Sequence, residues 1–488
     1  MSTPVAPPTA DQSEWPEPPS DVNESATGTL RAARARSVVS RLAMDTRPLR
    51  YPAYRRLWWS NVITSVGSQL TAVAVPKQIY DVTGSSSWIG IASFAALVPL
   101  AVFGLWGGAV TDAVDRRKLL LVTNVGIAAT SVAFWAQAAA GLRSVWPLIL
   151  LLAAQQGLFG VNSAARGSAI PRLVPEEQLP AANALSSTVL LAGALFGPMV
   201  AGALIPVVGL PTLYLVDAVG LTATIWAVYR LPALPPPAGT ASLPGTTPSA
   251  KVTASSKVTM PSNATASSKV TVPFKITALS KITGRRTDWT QVADGFRFVG
   301  ANRLLLLSFA VDLIAMVFGM PRALFPQIAA TTFGGNHLAL GLLFAAMPAG
   351  ALVGGLLSGT FTRIRRHGAM TIGAVVAWGL AMLGFGLTGS LALACVFLAL
   401  GGAADFVSMV FRGAILQSAA PDEMRGRMQG VFIVVVAGGP RLADLVHGIA
   451  GAAAGTRAAV AGGGLAVMVG VVILATLTPS YWRYRASS

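Results

Sequence analysis

Six ionisable residues stand inside long apolar runs: Asp217, Asp312, Asp405, Arg441, Asp444 and His447. A charge in hydrocarbon is expensive, so side chains of this kind point to ion pairing, proton exchange or contact with a polar ligand. Asp312 is the carboxylate best placed to exchange a proton, with pairing to Arg322 or another neighbour as the structural alternative. Arg441, Asp444 and His447 follow one another at i+3, a spacing that allows a same-helix ion pair and puts all three on one stripe. Arg166 and Arg412 sit in repeated surroundings and read as gate scaffolding rather than substrate ligands. Gln69, Gln155, Gln156 and Asn162, with Trp106, Trp135 and Phe196, are candidates to line a cavity.

Other chemistries lack their residues. The single cysteine, Cys395, excludes an intramolecular disulfide, and three scattered histidines offer no metal cluster. No Gly-x-x-x-x-Gly-Lys-Ser/Thr loop is present to hold a nucleotide. The ionisable groups do not converge as an enzyme would need, and no cofactor is implied.

These residues need a scaffold that spans lipid. The 488-residue chain is 53% hydrophobic and 11% charged, far fewer charges than a soluble globule of this size carries. Apolar stretches of bilayer-crossing length, ~20 residues each, lie near 57–80, 87–111, 118–140, 145–169, 182–208 and 211–231. A second set lies near 304–328, 338–360, 369–388, 391–417, 428–452 and 457–478. The formal net charge of +17 forms no nucleic-acid patch, because the basic residues recur in short clusters between spans. Arg55 and Arg56, Arg116 to Lys118, Arg172, Arg363 to Arg366, Arg425 and Arg427, and Arg483 and Arg485 all fall on one side. The positive-inside rule makes that side cytoplasmic and places both termini there.

Residues 1–50 read as a disordered tail without a signal-peptide pattern, followed by a six-helix bundle over 51–231. Residues 232–300 form a low-complexity linker that opens on Leu231-Pro-Ala-Leu-Pro-Pro-Pro237 and repeats Lys-Val/Ile-Thr from Lys251. A second bundle spans 301–480, and 481–488 are a short tail. The halves are related: Arg166-Gly167, Pro175 and Glu177 recur 246 residues later as Arg412-Gly413, Pro421 and Glu423. Arg56, Gly107-Gly108 and Arg116 recur at 247 as Arg303, Gly354-Gly355 and Arg363. Six spans per half make the repeats parallel, with a substrate site expected between them.

Two motifs carry more specific meaning. Gly108-Ala-Val-Thr-Asp112-Ala-Val-Asp-Arg116-Arg117-Lys118 lies between the second and third spans. Gly193-Ala-Leu-Phe-Gly197-Pro198-Met-Val-Ala-Gly202 lies in the fifth, where glycines clear a helix face and Pro198 removes a backbone donor.

On these residues the chain resembles the major facilitator superfamily over about 50–231 and 290–480, implying an all-α fold of twelve transmembrane helices in two parallel six-helix repeats. The resemblance makes the first motif a cytoplasmic gate latch, in which Gly108 allows close helix contact, and the second a mark of antiporters and exporters. Ala113 and Asp115 depart from the superfamily pattern, and Ala153 stands where a coupling arginine is usual, beside a retained Gln156-Gly157. Tyr54-Arg-Arg-Leu57, Ala74-Val-Pro-Lys-Gln-Ile79, Gly295-Phe-Arg-Phe298 and Leu416-Gln-Ser-Ala-Ala-Pro421 resemble the enterobactin-exporter branch and its drug-efflux relatives. The resemblance implies a monomeric, multi-pass cell-membrane protein that exports a siderophore or amphipathic drug-like compound by proton-coupled antiport. Drug efflux without a siderophore role, and inward facilitation, remain open. The gate carboxylate has no counterpart in the second half, where Gly359 stands, so the first half holds most of the latch and the second most of the titratable groups.

Overall fold

The computed structural model describes residues 45–235, 297–419 and 425–484. Most of the N-terminal tail, the Lys-Val/Ile-Thr repeats and the Pro421–Glu423 copy lie outside them, and Asp112 and Arg363 are described by backbone alone. Beside the tail, Arg47 pairs with Asp45 at 2.6 Å.

Among the described residues every regular element is helical. The first half comprises α1 (Pro52–Thr83), α2 (Ser86–Ala113), α3 (Arg116–Ala139), α4 (Val145–Ala169), α5 (179–208) and α6 (210–229). The second comprises α7 (Arg303–Gly319), α8 (His337–Leu356), α9 (His367–Leu387), α10 (Leu391–Ala419), α11 (Arg425–Ala454) and α12 (Thr456–Leu477). α5 and α6 run on from each other except at Gly209, whose φ of 77° between Pro206 and Pro211 breaks the helix. α7 stops at Met320-Pro321 and resumes as a short helix, Phe325–Thr331.

Local sequence explains several ends. Ser85 caps α2, Asp115 caps α3, Asn302 caps α7 and Asn336 caps α8, each accepting backbone N–H groups of its first turn. Among the described residues nine stretches are long and apolar enough to cross a membrane, and one of them, Glu176–Tyr229, contains both α5 and α6. α1 and α11 are not among the nine. They complete the twelve expected spans, and both carry polar side chains to the protein interior.

Packing repeats between the halves. α2 lies against α4 as α8 lies against α10, and α1 packs on the α5–α6 pair as α7 packs on α11 and α12. Missing side chains make this possible: a Cβ at Gly107 would stand 2.9 Å from the Val161 Cα, and one at the equivalent Gly354 would be 3.3 Å from the Ala403 carbonyl. The halves meet along α2–α11 and α5–α8. A Cβ on Gly448 would lie 2.6 Å from the Ser86 carbonyl, and one on Gly202 2.7 Å from that of His337. Ser87 donates to the Gly448 carbonyl at 3.2 Å, and Ser86 to Gln327 at 2.6 Å. These contacts cluster at the helix ends remote from the basic loops.

Gly202→Ala therefore wedges α5 from α8 and is expected to destabilise the purified protein by about 1–3 kcal/mol, read as an earlier thermal transition in detergent. Gly373→Ala, where a Cβ would meet nothing within 4 Å, leaves the transition unchanged or raises it.

Candidate functional site

A cavity of about 800 Å³ lies between the halves. Its polar lining includes Thr64, Ser68, Gln69 and Thr71 from α1, Ser93 from α2 and Gln155 and Gln156 from α4. Asp217, Arg322, Asp405, Arg441 and Asp444 add charge, and Ile79, Ile89, Phe159, Phe344 and Met347 supply apolar surface. A largely apolar chamber with a few placed charges suits an amphipathic small molecule.

The charges fall into separate groups. Asp217 in α6 accepts from Ser131 at 2.8 Å and Thr71 at 3.1 Å, and Gln155 donates on to Ser131 at 3.3 Å. Its carboxylate occupies the space beside Gly67, where any Cβ would overlap it. Asp312 is fully buried in α7 and forms an ion pair with Arg412 of α10, itself only 3% exposed. The charges of that pair bear on Asp405, which lies about two helix turns before Arg412 and faces the cavity. The third group straddles the halves: Ser93 donates to Asp444 at 2.6 Å, and Arg441 donates to Gln156 at 2.9 Å.

Residues 57–440 match the Major Facilitator Superfamily as a family. The chain belongs to that superfamily. It is 28% identical over 434 residues to the enterobactin exporter EntS of Shigella boydii serotype 18, covering 88% of this chain and 92% of that one. The EntS of Escherichia coli O127:H6 matches to the same extent, 28% over 434 residues. Among solved structures, a bacterial homologue of the human lysosomal transporter Spinster, inward-facing and unoccupied, superposes with a TM-score of 0.62 at 15% identity, covering 90% of this chain and 97% of that one. A POT family transporter bound to a thioalcohol-conjugated peptide gives 0.61 at 12% identity, covering 88% and 96%. The chain is thus a multi-pass membrane transporter with the twelve-helix, two-repeat facilitator fold.

Within this facilitator several expected partnerships change. Asp312 pairs with Arg412, not Arg322, because α10 brings its guanidinium into the α7 core while the break in α7 turns Arg322 to the cavity. Arg412 is consequently unlike its repeat partner: among the described residues Arg166 bonds neutral groups, Ser60 at 3.2 Å and Asn162 at 3.5 Å. Arg441, Asp444 and His447 do not act as one stripe. Arg441 and Asp444 reach across to the first half, whereas the buried His447 bonds the Ala443 carbonyl at 3.1 Å and lies against Gly463 of α12. Gln69, Gln155 and Gln156 line the cavity; Asn162 instead bonds Thr123 and Asn124, and Trp135 and Phe196 are exposed away from it.

The Gly108–Lys118 stretch, expected as a gate, also makes contacts other than those expected. The close helix contact belongs to Gly107, while a Cβ at Gly108 would meet no described atom within 4 Å. Arg116 is buried and donates to Ser168 at 3.2 Å and to the Pro235 carbonyl at 3.1 Å. Asp115, the departure from the superfamily pattern, accepts from the Arg117 backbone at 2.9 Å and from that of Leu234 at 3.1 Å. Arg117 donates to the Tyr229 carbonyl and stacks over the Tyr229 ring, and Lys118 is exposed. The Leu231–Pro235 stretch is thereby fastened to the root of α3. Sequence reasoning missed this use of Asp115; its place before Arg116 as an N-cap was the available signal.

The exporter motif has two faces. Gly193 and Gly197 leave room for Ser65 and Gln69 of α1, while Gly202 meets Gly341 of α8 across the halves. One glycine series holds α5 to its own bundle and to the opposite one.

Gly67→Ala drives a methyl group into the Asp217 carboxylate and is expected to lose folded protein in detergent. Removing that carboxylate in the Gly67→Ala, Asp217→Ala double variant restores the folded yield, giving a coupling of at least about 1 kcal/mol in a double-mutant cycle of thermal stability. Additive losses would show that the two positions do not share space.

Proposed function

We propose that the chain is a proton-coupled exporter of a siderophore or similar amphipathic compound, working by alternating access in the cell membrane as a monomer with both termini cytoplasmic. The observation that carries the coupling is the buried Asp312–Arg412 ion pair, with a second carboxylate, Asp405, on the cavity wall within reach of its charges. With one cation for two carboxylates, and that cation paired with Asp312, Asp405 remains to take a proton. Arg412 joins α7 to α10, so protonation of its partner weakens a contact between two helices of the second bundle. Tyr481 lies near the same pair, and its burial anchors the C-terminal turn beside it.

The basic loops put the contacted helix ends on the external side, which makes the described conformation inward-facing. Rocking of the bundles then exchanges the α2–α11 and α5–α8 contacts for contacts at the basic end, where Arg116, Arg166 and the Asp112 motif lie. The two-faced glycine series of α5 suits this motion, since small residues let helices slide past each other without interlocking side chains. The enterobactin exporters to which the chain is similar support the outward direction and the siderophore cargo.

The test is complementation of a bacterial strain lacking its enterobactin exporter, with the siderophore in the medium measured by iron chelation. The wild-type chain restores release, and a protonophore abolishes it within minutes. Asp405→Asn reduces proton-driven release at least tenfold while retaining energy-independent exchange of preloaded siderophore. Asp312→Asn, which strands a buried guanidinium, costs about 3–5 kcal/mol and lowers expression as well. Release that ignores the protonophore overturns proton coupling, and no release of any siderophore or drug overturns export.

A further inference from the structure

The cavity contains an arrangement that proton exchange does not use. Arg322 sits in the Arg322–Leu324 turn that follows the break in α7, and Arg441 sits one residue after Pro440 in α11. Both line the cavity, and the charge of Arg322 bears directly on Arg441. Neither forms an ion pair within 4.0 Å among the described residues. Arg441 is held by neutral groups, Gln156 at 2.9 Å and the Ser93 carbonyl at 3.5 Å. Arg322 has no hydrogen bond among the described residues, and its Nε is buried without a partner. Two guanidiniums lining one cavity in a membrane protein, one of them without a hydrogen bond among the described residues, are costly unless something negative joins them.

The local charge does not cancel. The carboxylate in this group is Asp444, whose Oδ2 takes the Ser93 hydroxyl at 2.6 Å and whose Oδ1 is buried without a partner. One carboxylate against two guanidiniums leaves a net positive charge. Asp217 is occupied with Ser131 and Thr71, and Asp405 belongs with Asp312 and Arg412. The cavity is therefore bipolar, cationic where α7, α11 and α2 meet and anionic on the α10 side. Met320, Phe325, Ile89 and Phe344 supply apolar surface to the same chamber.

We propose that Arg322 and Arg441 form an oxyanion clamp that binds the negatively charged oxygen group of the substrate, with its apolar body held in the remaining chamber. The guanidinium fork is suited to a carboxylate or another paired-oxygen anion, which it bonds with two parallel N–H donors. Because Arg441 also bonds Gln156 of the other half, an anion drawn onto Arg441 competes with an interhalf contact. Binding at this point is thereby linked to release of the closed end. The inference rests on the transporter reading of this cavity and adds a preference for anionic cargo over the lipophilic cations that many drug pumps handle.

The probes are 2-naphthoate, its neutral amide 2-naphthamide, and the lipophilic cation tetraphenylphosphonium, titrated by calorimetry into the full chain in lipid nanodiscs. Naphthoate is expected to bind at least tenfold more tightly than naphthamide, and tetraphenylphosphonium more weakly than either. Arg322→Gln lowers naphthoate affinity at least tenfold and leaves naphthamide unchanged, and Arg322→Lys recovers part of the loss. Arg441→Gln has the same effect, and if it fails to fold because the Gln156 bridge is gone, Arg322→Gln decides alone. Equal binding of acid and amide, tighter binding of the cation, or full naphthoate affinity in Arg322→Gln overturns the clamp. Protonophore-sensitive siderophore release that persists beside such a result leaves the exporter reading standing and removes the anion site alone.

Discussion

An ionised group surrounded by hydrocarbon must be partnered, and this constraint organises the interior of the protein. Asp312 and Arg412 satisfy each other at full burial, joining α7 to α10. Asp217 takes two hydroxyl donors from α1 and α3. Asp444 and Arg441 are satisfied from the opposite half by Ser93 and Gln156. Each partnership ties together helices far apart in the chain, so the cost of an unpaired charge is converted into a tertiary constraint. Arg322 is a cavity charge without such a partner among the described residues.

The second constraint is the close approach of backbones. Lipid is as apolar as leucine, so helix association depends on van der Waals contact, and glycine permits the shortest approach. The Gly202–Gly341 and Gly90–Gly448 meetings close one end of the cavity, whereas Gly107 and Gly354 repeat the same device inside each bundle. Glycines thus set the close approaches both at the interhalf seam and inside each half.

Asp115 shows how a departure from a family pattern gains a structural reason. An N-cap carboxylate that also accepts the Leu234 amide fastens the start of the linker to the root of α3, and Arg116 reinforces it through Ser168 and Pro235. The root of α3 is thus built together with the chain that leaves α6.

Twelve spans, the parallel repeat and the candidate charges were legible in the sequence, because a hydrocarbon solvent restricts spans by length and composition and makes every interior charge conspicuous. α1 and α11 were legible as spans despite their polar residues, and those polar residues proved to face the cavity. Spacing along one helix could not reveal partners on another. It proposed Arg441 with Asp444 and Asp312 with Arg322, and the folded chain chose Ser93, Gln156 and Arg412 instead. It assigned the close contact to Gly108, which the tertiary packing gives to its neighbour. Local sequence determines which groups are too costly to leave alone in lipid. Only the packing of one helix on another decides who satisfies them, because that choice depends on distances between side chains on different helices, far apart in the chain.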